Sequence, residues 1–243
     1  MIDWVSLAIV LLLCLVLAIL SYWFGLLTAS GSISAFALGM IIGGMGSINW
    51  LLILVFFTIA GFLVTRYKLQ EKIDKGLQEG KRGERTYKNV LANGLIPALI
   101  ATVAWIMGVP QETIPAIVFL SSISVAASDT VASEIGILSD RTKLITNLKD
   151  VPPGTNGGVS TYGTIWALLG AIGASVFGWI LLFPENLIDP LILVPIIVGF
   201  LGCNVDSLIG ATLERRGYIG KLGTNMISMA SGAILALLIL IVI

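Results

Sequence analysis

The stretch WVSLAIVLLLCLVLAILSYWFGLLTASGSISAFALGMIIGGMGSINWLLILVFFTIAGFLVT, residues 4–65, runs 62 positions without a charged side chain. A helix needs about 20 apolar residues to cross the hydrocarbon layer. The stretch therefore holds three such helices, with breaks near residues 28–32 and 46–49. Its middle segment, residues 33–45, is short and carries Gly39, Gly43 and Gly44. Small residues let helices approach closely, so this segment reads as a close-packed span or a half-span, and a span is preferred.

The rest of the chain follows the same pattern. Further spans are expected at about residues 89–107, 113–135, 161–183, 187–205 and 225–243. With 57% hydrophobic and 12% charged residues and a mean hydropathy of +1.00, the chain has about half the charge of an average soluble domain. The expectation is an all-α, polytopic membrane bundle, one transmembrane domain over residues 1–243. It has eight spans with both ends outside, or seven with the N-terminus inside if the second segment is re-entrant. The N-terminus lacks a basic n-region and a cleavage site and reads as a retained span. All 14 Lys and Arg fall in residues 66–88, 141–149 and 215–221. The positive-inside rule places the loops at about 66–88, 136–160 and 206–224 in the cytoplasm, within a multi-pass protein of the cell membrane. The 66–88 loop sets eight cations against Glu71, Asp74, Glu79 and Glu84. Most of it reads as a solvated basic face.

Two carboxylates stand out. The charge-free runs 113–128 and 190–205 are each 16 residues long, and they end at Asp129 and Asp206. A carboxylate just inside a span is costly and usually has a partner. On a helix Asp129 and Ser133 are four apart, as are Thr130 and Glu134, so the four form one polar strip. The chain has no histidine, and Cys14 and Cys203 sit in apolar runs. Any cation would be held by hard oxygen ligands, which suits Mg²⁺. Asp129, Ser133 and Glu134 are candidate ligands, with Asp206 as a second carboxylate. Small residues and a glutamate follow each Asp (Glu134, Glu214), a weak internal echo. The plainer readings are a helix end that has reached water and, for Asp206, the cap of an interfacial helix.

Between the two lies VPPGTNGGVSTYG, residues 151–163. Its glycines can turn backbone N–H groups toward an anion, and the helix start after Ser160 or Thr161 adds partial positive charge. Gly154, Thr155, Asn156, Gly157, Gly158 and Ser160 form a candidate phosphate cradle, preceded by Lys143 and Lys149. No Gly-Lys-Ser/Thr follows the glycines, so it is not a P-loop. By itself such a loop is more often a turn; the acidic strip nearby favours the cradle. Arg66, Arg85 and Lys88 lie where a lipid phosphate would be. Asn93, one turn into a span, is an amide with no evident structural need.

Together these motifs resemble the phytyl-phosphate kinase family of polytopic membrane proteins, whose animal relative is called transmembrane protein 19. The likeness spans nearly the whole chain. It is strongest at Ser128-Asp129-Thr130-Val131-Ala132-Ser133-Glu134-Ile135-Gly136, at Gly154-Thr155-Asn156-Gly157-Gly158-Val159-Ser160 with Gly163-Thr164, and at Asp206-Ser207-Leu208-Ile209-Gly210-Ala211-Thr212. Weaker matches are residues 27–31 and 90–94. More distantly, an acidic motif before a glycine-rich loop is similar to dolichol kinases and CDP-diacylglycerol synthases. The resemblance implies Mg²⁺-dependent phosphoryl transfer from CTP, or another nucleoside triphosphate, to phytyl or geranylgeranyl monophosphate. On that basis Asp129, Glu134, Lys149 and Asp206 are the expected catalytic residues. Lys149 and the 154–160 loop take the nucleotide, and Arg85, Asn93, Arg141 and Lys143 take the lipid substrate. Partners are the nucleotide, the prenyl lipid and membrane lipids, not nucleic acid; a homo-oligomer stays open. Two alternatives stand beside it: a CTP-dependent cytidylyltransferase making a CDP-lipid, and an ion-coupled transporter using Asp129 and Asp206.

Overall fold

The computed structural model describes residues 4–78 and 84–243. Glu79, Lys81 and Arg82 of the first basic loop lie outside the described residues. About three quarters of the chain is helical, and among the described residues eight helices are long and apolar enough to cross a membrane. They are α1 (Trp4–Trp23), α2 (Ala29–Ile41), α3 (Ile48–Arg66), α5 (Tyr87–Ile106), α6 (Thr113–Gly136), α7 (Thr161–Leu182), α8 (Leu193–Ile209) and α9 (Lys221–Val242), with a short α4 (Leu69–Asp74) in the first basic loop. The chain is an all-α polytopic membrane protein.

The short second segment is long and apolar enough for a full span. α2 continues through a π-helical turn at Ile42–Gly46, giving 18 residues in all. Thr28 caps it by accepting from Gly31 N–H at 3.2 Å, and Ser47 caps α3 by accepting from Trp50 N–H at 3.2 Å. The two expected breaks are thus two N-caps, where a hydroxyl satisfies an orphan donor.

α6 is the centre of the bundle. In its most apolar window 83% of residues are buried, against 11% for α1, which runs along the outside. Lipid is as apolar as leucine, so packing and interhelical hydrogen bonds must hold membrane helices together. α6 is built for both. Ser124 donates to Ala171 O (3.2 Å) and lies 3.1 Å from Ser175 Oγ, and Ser128 donates to Ala167 O (2.8 Å). This four-residue spacing stitches α6 to α7. α8 and α9 approach through glycines: a Cβ at Gly199 would overlap Ser124, and one at Gly202 or Gly232 would overlap Val125. Near the end of α6, a Cβ at Gly136 would sit 3.2 Å from Gly163 Cα. The start of α7 is therefore pressed against the last turn of α6.

Two expectations need correction. The expected loop at 206–224 is mostly helix: α8 runs through Asp206 to Ile209, a π-helical turn covers Gly210–Glu214, and α9 begins at Lys221. Asp206 accordingly lies inside a helix and caps none. The expected loop at 136–160 carries a small antiparallel sheet of β1 (Thr142–Leu144), β2 (Asp150–Val151) and β3 (Gly158–Val159), in the order β2-β1-β3. Its segments are too short and its turn residues too many for sequence periodicity to reveal it.

A parallel backbone bridge joins Leu27 to Arg85: Arg85 N–H donates to Leu26 O and Thr28 N–H to Arg85 O, both at 3.1 Å. It places the α1–α2 turn beside the start of α5. Because spans alternate in direction, the starts of α2, α5, α7 and α9 and the ends of α1, α3, α6 and α8 share one end of the bundle.

Candidate functional site

Two cavities open at that end. The first, about 300 Å³, is lined by the glycine loop (Gly154, Thr155, Asn156, Gly157, Gly158, Ser160), by Asp129, Ser133 and Glu134 of α6, and by Asp206, Glu214 and Lys221. The second, about 550 Å³, is lined by Arg85, Asn89 and Asn93 around the start of α5, by Lys221 and Asn225 of α9, and again by Asp129, Ser133 and Glu134, with Thr130. Asp129, Ser133 and Glu134 of α6, with Lys221, are common to both cavities.

Local structure explains the first cavity. Ser160 caps α7, its Oγ accepting from Gly163 N–H at 3.0 Å, so the positive end of α7 faces the cavity. Gly154 and Gly157 have φ of +80° and +76°, a left-handed conformation that favours glycine. A side chain at Gly157 would also overlap the backbone of Ala211. The loop is thereby pressed against the π-helical turn that follows Asp206. Such turns are rare and often sit at functional sites. Within the loop, Thr155 N–H donates to Pro152 O (3.2 Å) and Gly158 N–H to Thr155 O (2.8 Å). Those two N–H groups hold the turn together and do not point outward to an anion.

Asp206 accepts from Ser228 Oγ at 3.1 Å, and Glu214 accepts from Thr224 Oγ1 at 3.0 Å, so both acids are positioned by α9. Asp206 feels the repulsion of Asp129 and the attraction of Lys221. Two carboxylates lining one cavity, with hydroxyls and no imidazole, suit a hard divalent cation. Among the described residues no group of three or more acids or thiols gathers to hold a metal. Mg²⁺ does not need one: it keeps waters and is usually bound through one or two carboxylates plus substrate phosphates. Asp129 and Asp206 fit that mode.

Glu134 has a different position from the expected one. Its Oε2 lies 2.7 Å from Lys72 Nζ, and its Oε1 accepts from Thr65 Oγ1 at 2.9 Å. Lys72 is 1% exposed and also donates to Val64 O and Thr65 O. Arg85 Nη2 donates to the same Thr65 Oγ1 at 3.2 Å. Both carboxylate oxygens are thus engaged in holding α4 and α3 to the core helix, and Arg85 joins this cluster through Thr65. Next to this anchor, exposed ion pairs from Lys75 and Lys68 hold the Glu71 carboxyl below the usual carboxylate range.

The cations of the second basic window also need correction. Arg141, Lys143 and Lys149 are exposed and line neither cavity. Side chains alternate along a strand: Thr142 and Leu144 point inward, Thr142 into the first cavity, so Arg141 and Lys143 point away. Lys149 sits on the turn from β1 to β2, its N–H bonded to Asn147 Oδ1 at 3.1 Å. Arg66 is likewise exposed and lines neither cavity, whereas Arg85 and Asn93 face the second.

Sequence reading missed Lys72, Lys221 and Asn225. The two lysines look like ordinary members of basic loops, and nothing in their spacing marks them. Asn225 carries the same signal that picked out Asn93, an amide inside a span, and the two are bonded: Asn225 Nδ2 donates to Asn93 Oδ1 at 3.1 Å.

Comparison with known proteins gives a consistent assignment. The family described as "Integral membrane protein DUF92" matches residues 12–238. An uncharacterized membrane protein of Methanocaldococcus jannaschii is 38% identical over 95% of this chain and 92% of its own length. One from Synechocystis is 34% identical over 79% and 73%. The chloroplastic protein VTE6 of Arabidopsis thaliana is 30% identical over 87% of this chain and 65% of its own length. No solved structure matches.

Proposed function

The chain belongs to the DUF92 family of integral membrane proteins, and from that premise we propose that it is a membrane prenyl-phosphate kinase. The reaction transfers the γ-phosphoryl group of CTP, or another nucleoside triphosphate, to a prenyl monophosphate such as phytyl or geranylgeranyl phosphate. The acceptor phosphate oxygen forms the new bond to phosphorus as the bond to the β-phosphate oxygen breaks. The products are the prenyl diphosphate and the nucleoside diphosphate. The acceptor is already ionised, so no strong general base is required, and a site without histidine suffices.

One observation carries this reading: the glycine loop and the two aspartates, far apart in sequence, line one cavity whose acidic wall is shared with a second, Arg85-bearing cavity. Transfer between two phosphates needs two such places and positioned charge between them. The glycine loop and the α7 start bind the nucleotide phosphates. Asp129 and Asp206 would hold Mg²⁺, which when bound offsets charge on the transferring group. Lys221, at the mouth of both cavities, is placed to add a cationic contact. Glu134 acts indirectly, through its grip on Lys72 and Thr65. The basic loops face the cytoplasm, where nucleotide is. A carrier would set its polar residues near mid-membrane on broken helices, and here they gather toward one end of the bundle.

The test is turnover by the purified protein in detergent with Mg²⁺, a prenyl monophosphate, and CTP or ATP, with products read by mass spectrometry. Prenyl diphosphate with nucleoside diphosphate supports the proposal. A CDP-lipid with pyrophosphate would move the chain to the cytidylyltransferases, and no turnover across several prenyl lengths would favour transport.

A further inference from the structure

The second cavity carries more than shared walls. Two of its buried side chains, Arg85 and Asn225, each 7% exposed, have a polar atom without a partner: Arg85 Nε and Asn225 Oδ1. Buried polar groups are nearly always hydrogen-bonded, and exceptions call for a ligand or an ordered water. The Arg85 guanidinium is fixed by its bond to Thr65 and by its place 5.8 Å above the Phe62 ring. Its Nε–H remains unbonded. Asn225 is fixed in turn by its bond to Asn93, which leaves an amide oxygen in need of a donor. Arg85, Lys88 and Lys221 line the cavity against Asp129 and Glu134, and Glu134 is already answered by Lys72. The starts of α5 and α9 add two positive helix ends.

A ligand that suits this chamber has anionic acceptor oxygens for Arg85 and an O–H for Asn225. The monoanion of a phosphate monoester has both, anionic oxygens and the one O–H it keeps below its second ionisation near pH 6; a diester has no such O–H in any ionised form. We propose that the second chamber is an anion subsite distinct from the glycine loop, built to take the phosphomonoester head of a lipid, with Arg85 and Lys221 as its cations and the Asn93–Asn225 amide pair as its polar floor. This deepens the kinase reading and rests on it for the identity of the lipid. It assigns acceptor recognition to residues of α5 and α9, and to none of the cations in residues 141–149.

The test measures binding of geranylgeranyl monophosphate to the full-length protein in detergent, without nucleotide, by titration calorimetry. Asn93→Asp is the informative variant. Its carboxylate still accepts from Asn225 Nδ2 but places a negative charge in the chamber. Binding is expected to weaken about tenfold or more, since like charges in a closed site are strongly unfavourable. Nucleotide binding should change less than about twofold under the same principle. Lys221→Gln, at an exposed helix start, is the second variant and should also weaken the lipid. Normal lipid affinity in a folded Asn93→Asp protein, or in Lys221→Gln if the first fails to fold, overturns the proposal. Inorganic phosphate binding as tightly as the lipid, or a diester lipid such as phosphatidylglycerol doing so, overturns the assignment to a lipid monoester. Selective binding without turnover would keep the subsite and remove the kinase; turnover insensitive to both variants would do the reverse.

Discussion

Replacing Lys72 by methionine removes the ammonium 2.7 Å from Glu134 Oε2 while nearly keeping the side-chain length. The two side chains are 1% and 9% exposed, so water does not take the place of the lost partner. The change also strips donors from Val64 O and Thr65 O, at 3.1 and 3.2 Å, in the last turn of α3. Breaking a buried pair from one side costs about 3–5 kcal/mol, because a charge is left without compensation. For a chain of this size each kcal/mol moves the melting temperature by about 2–4 °C, which puts the expected drop at roughly 6–20 °C. Tryptophan fluorescence in detergent at one fixed scan rate reads it. Glu134→Gln in the same background removes the stranded charge, and the amide oxygen still accepts from Thr65. The double variant should regain about half of the loss or more, as coupled partners do in a mutant cycle. A Lys72→Met protein melting within about 2 °C of the wild type, or a double variant whose losses simply add, would refute the claim that this pair fastens α4 to the core.

Three further outcomes follow from the site. Gly157→Ala should raise the KM for nucleotide and leave lipid binding unchanged, because a methyl group there meets the Ala211 backbone and a left-handed residue adds about 1–3 kcal/mol of strain; steady-state kinetics against each substrate check it. Lys149→Ala and Lys143→Ala should keep kcat/KM within about twofold, since both side chains point away from the cavities and an exposed change is usually small; a large loss would return them to the site. Asp206→Asn should lower kcat by about a hundredfold or more with an unchanged melting temperature, as the amide oxygen can still accept from Ser228.

The sequence makes the spans legible because membrane insertion enforces a crude rule, charge outside and none inside, and that rule survives without knowledge of packing. The π-helical extension of α2 and the N-caps at Thr28 and Ser47 fall where the breaks were expected. Asp129 and Asp206 are legible for the same reason, being polar where an apolar residue would cost less, whereas the glycine loop is legible from its turn residues just ahead of a helix start. The sequence misleads where a residue is polar in polar company. Lys72 and Lys143 belong to basic loops alike, yet one is buried against Glu134 and the other faces solvent, and only the fold distinguishes them. The end of α8 was misplaced because Asp206 looked like a stop, whereas Ser228 and the attraction of Lys221 let the helix carry it onward. Glu134 looked like the partner of Asp129 on one strip, and the strip is real, but helical spacing cannot say which of its members a lysine 62 residues away has taken.

The most direct measurement follows the terminal phosphate. Purified protein is given Mg²⁺, phytyl monophosphate and CTP labelled with ¹⁸O in the γ-phosphoryl group, with Asp129→Asn run beside it. The account predicts label in the outer phosphate of phytyl diphosphate, unlabelled CDP, and no product from the variant. Label released as pyrophosphate, or labelled diphosphate formed equally well by Asp129→Asn, would contradict it.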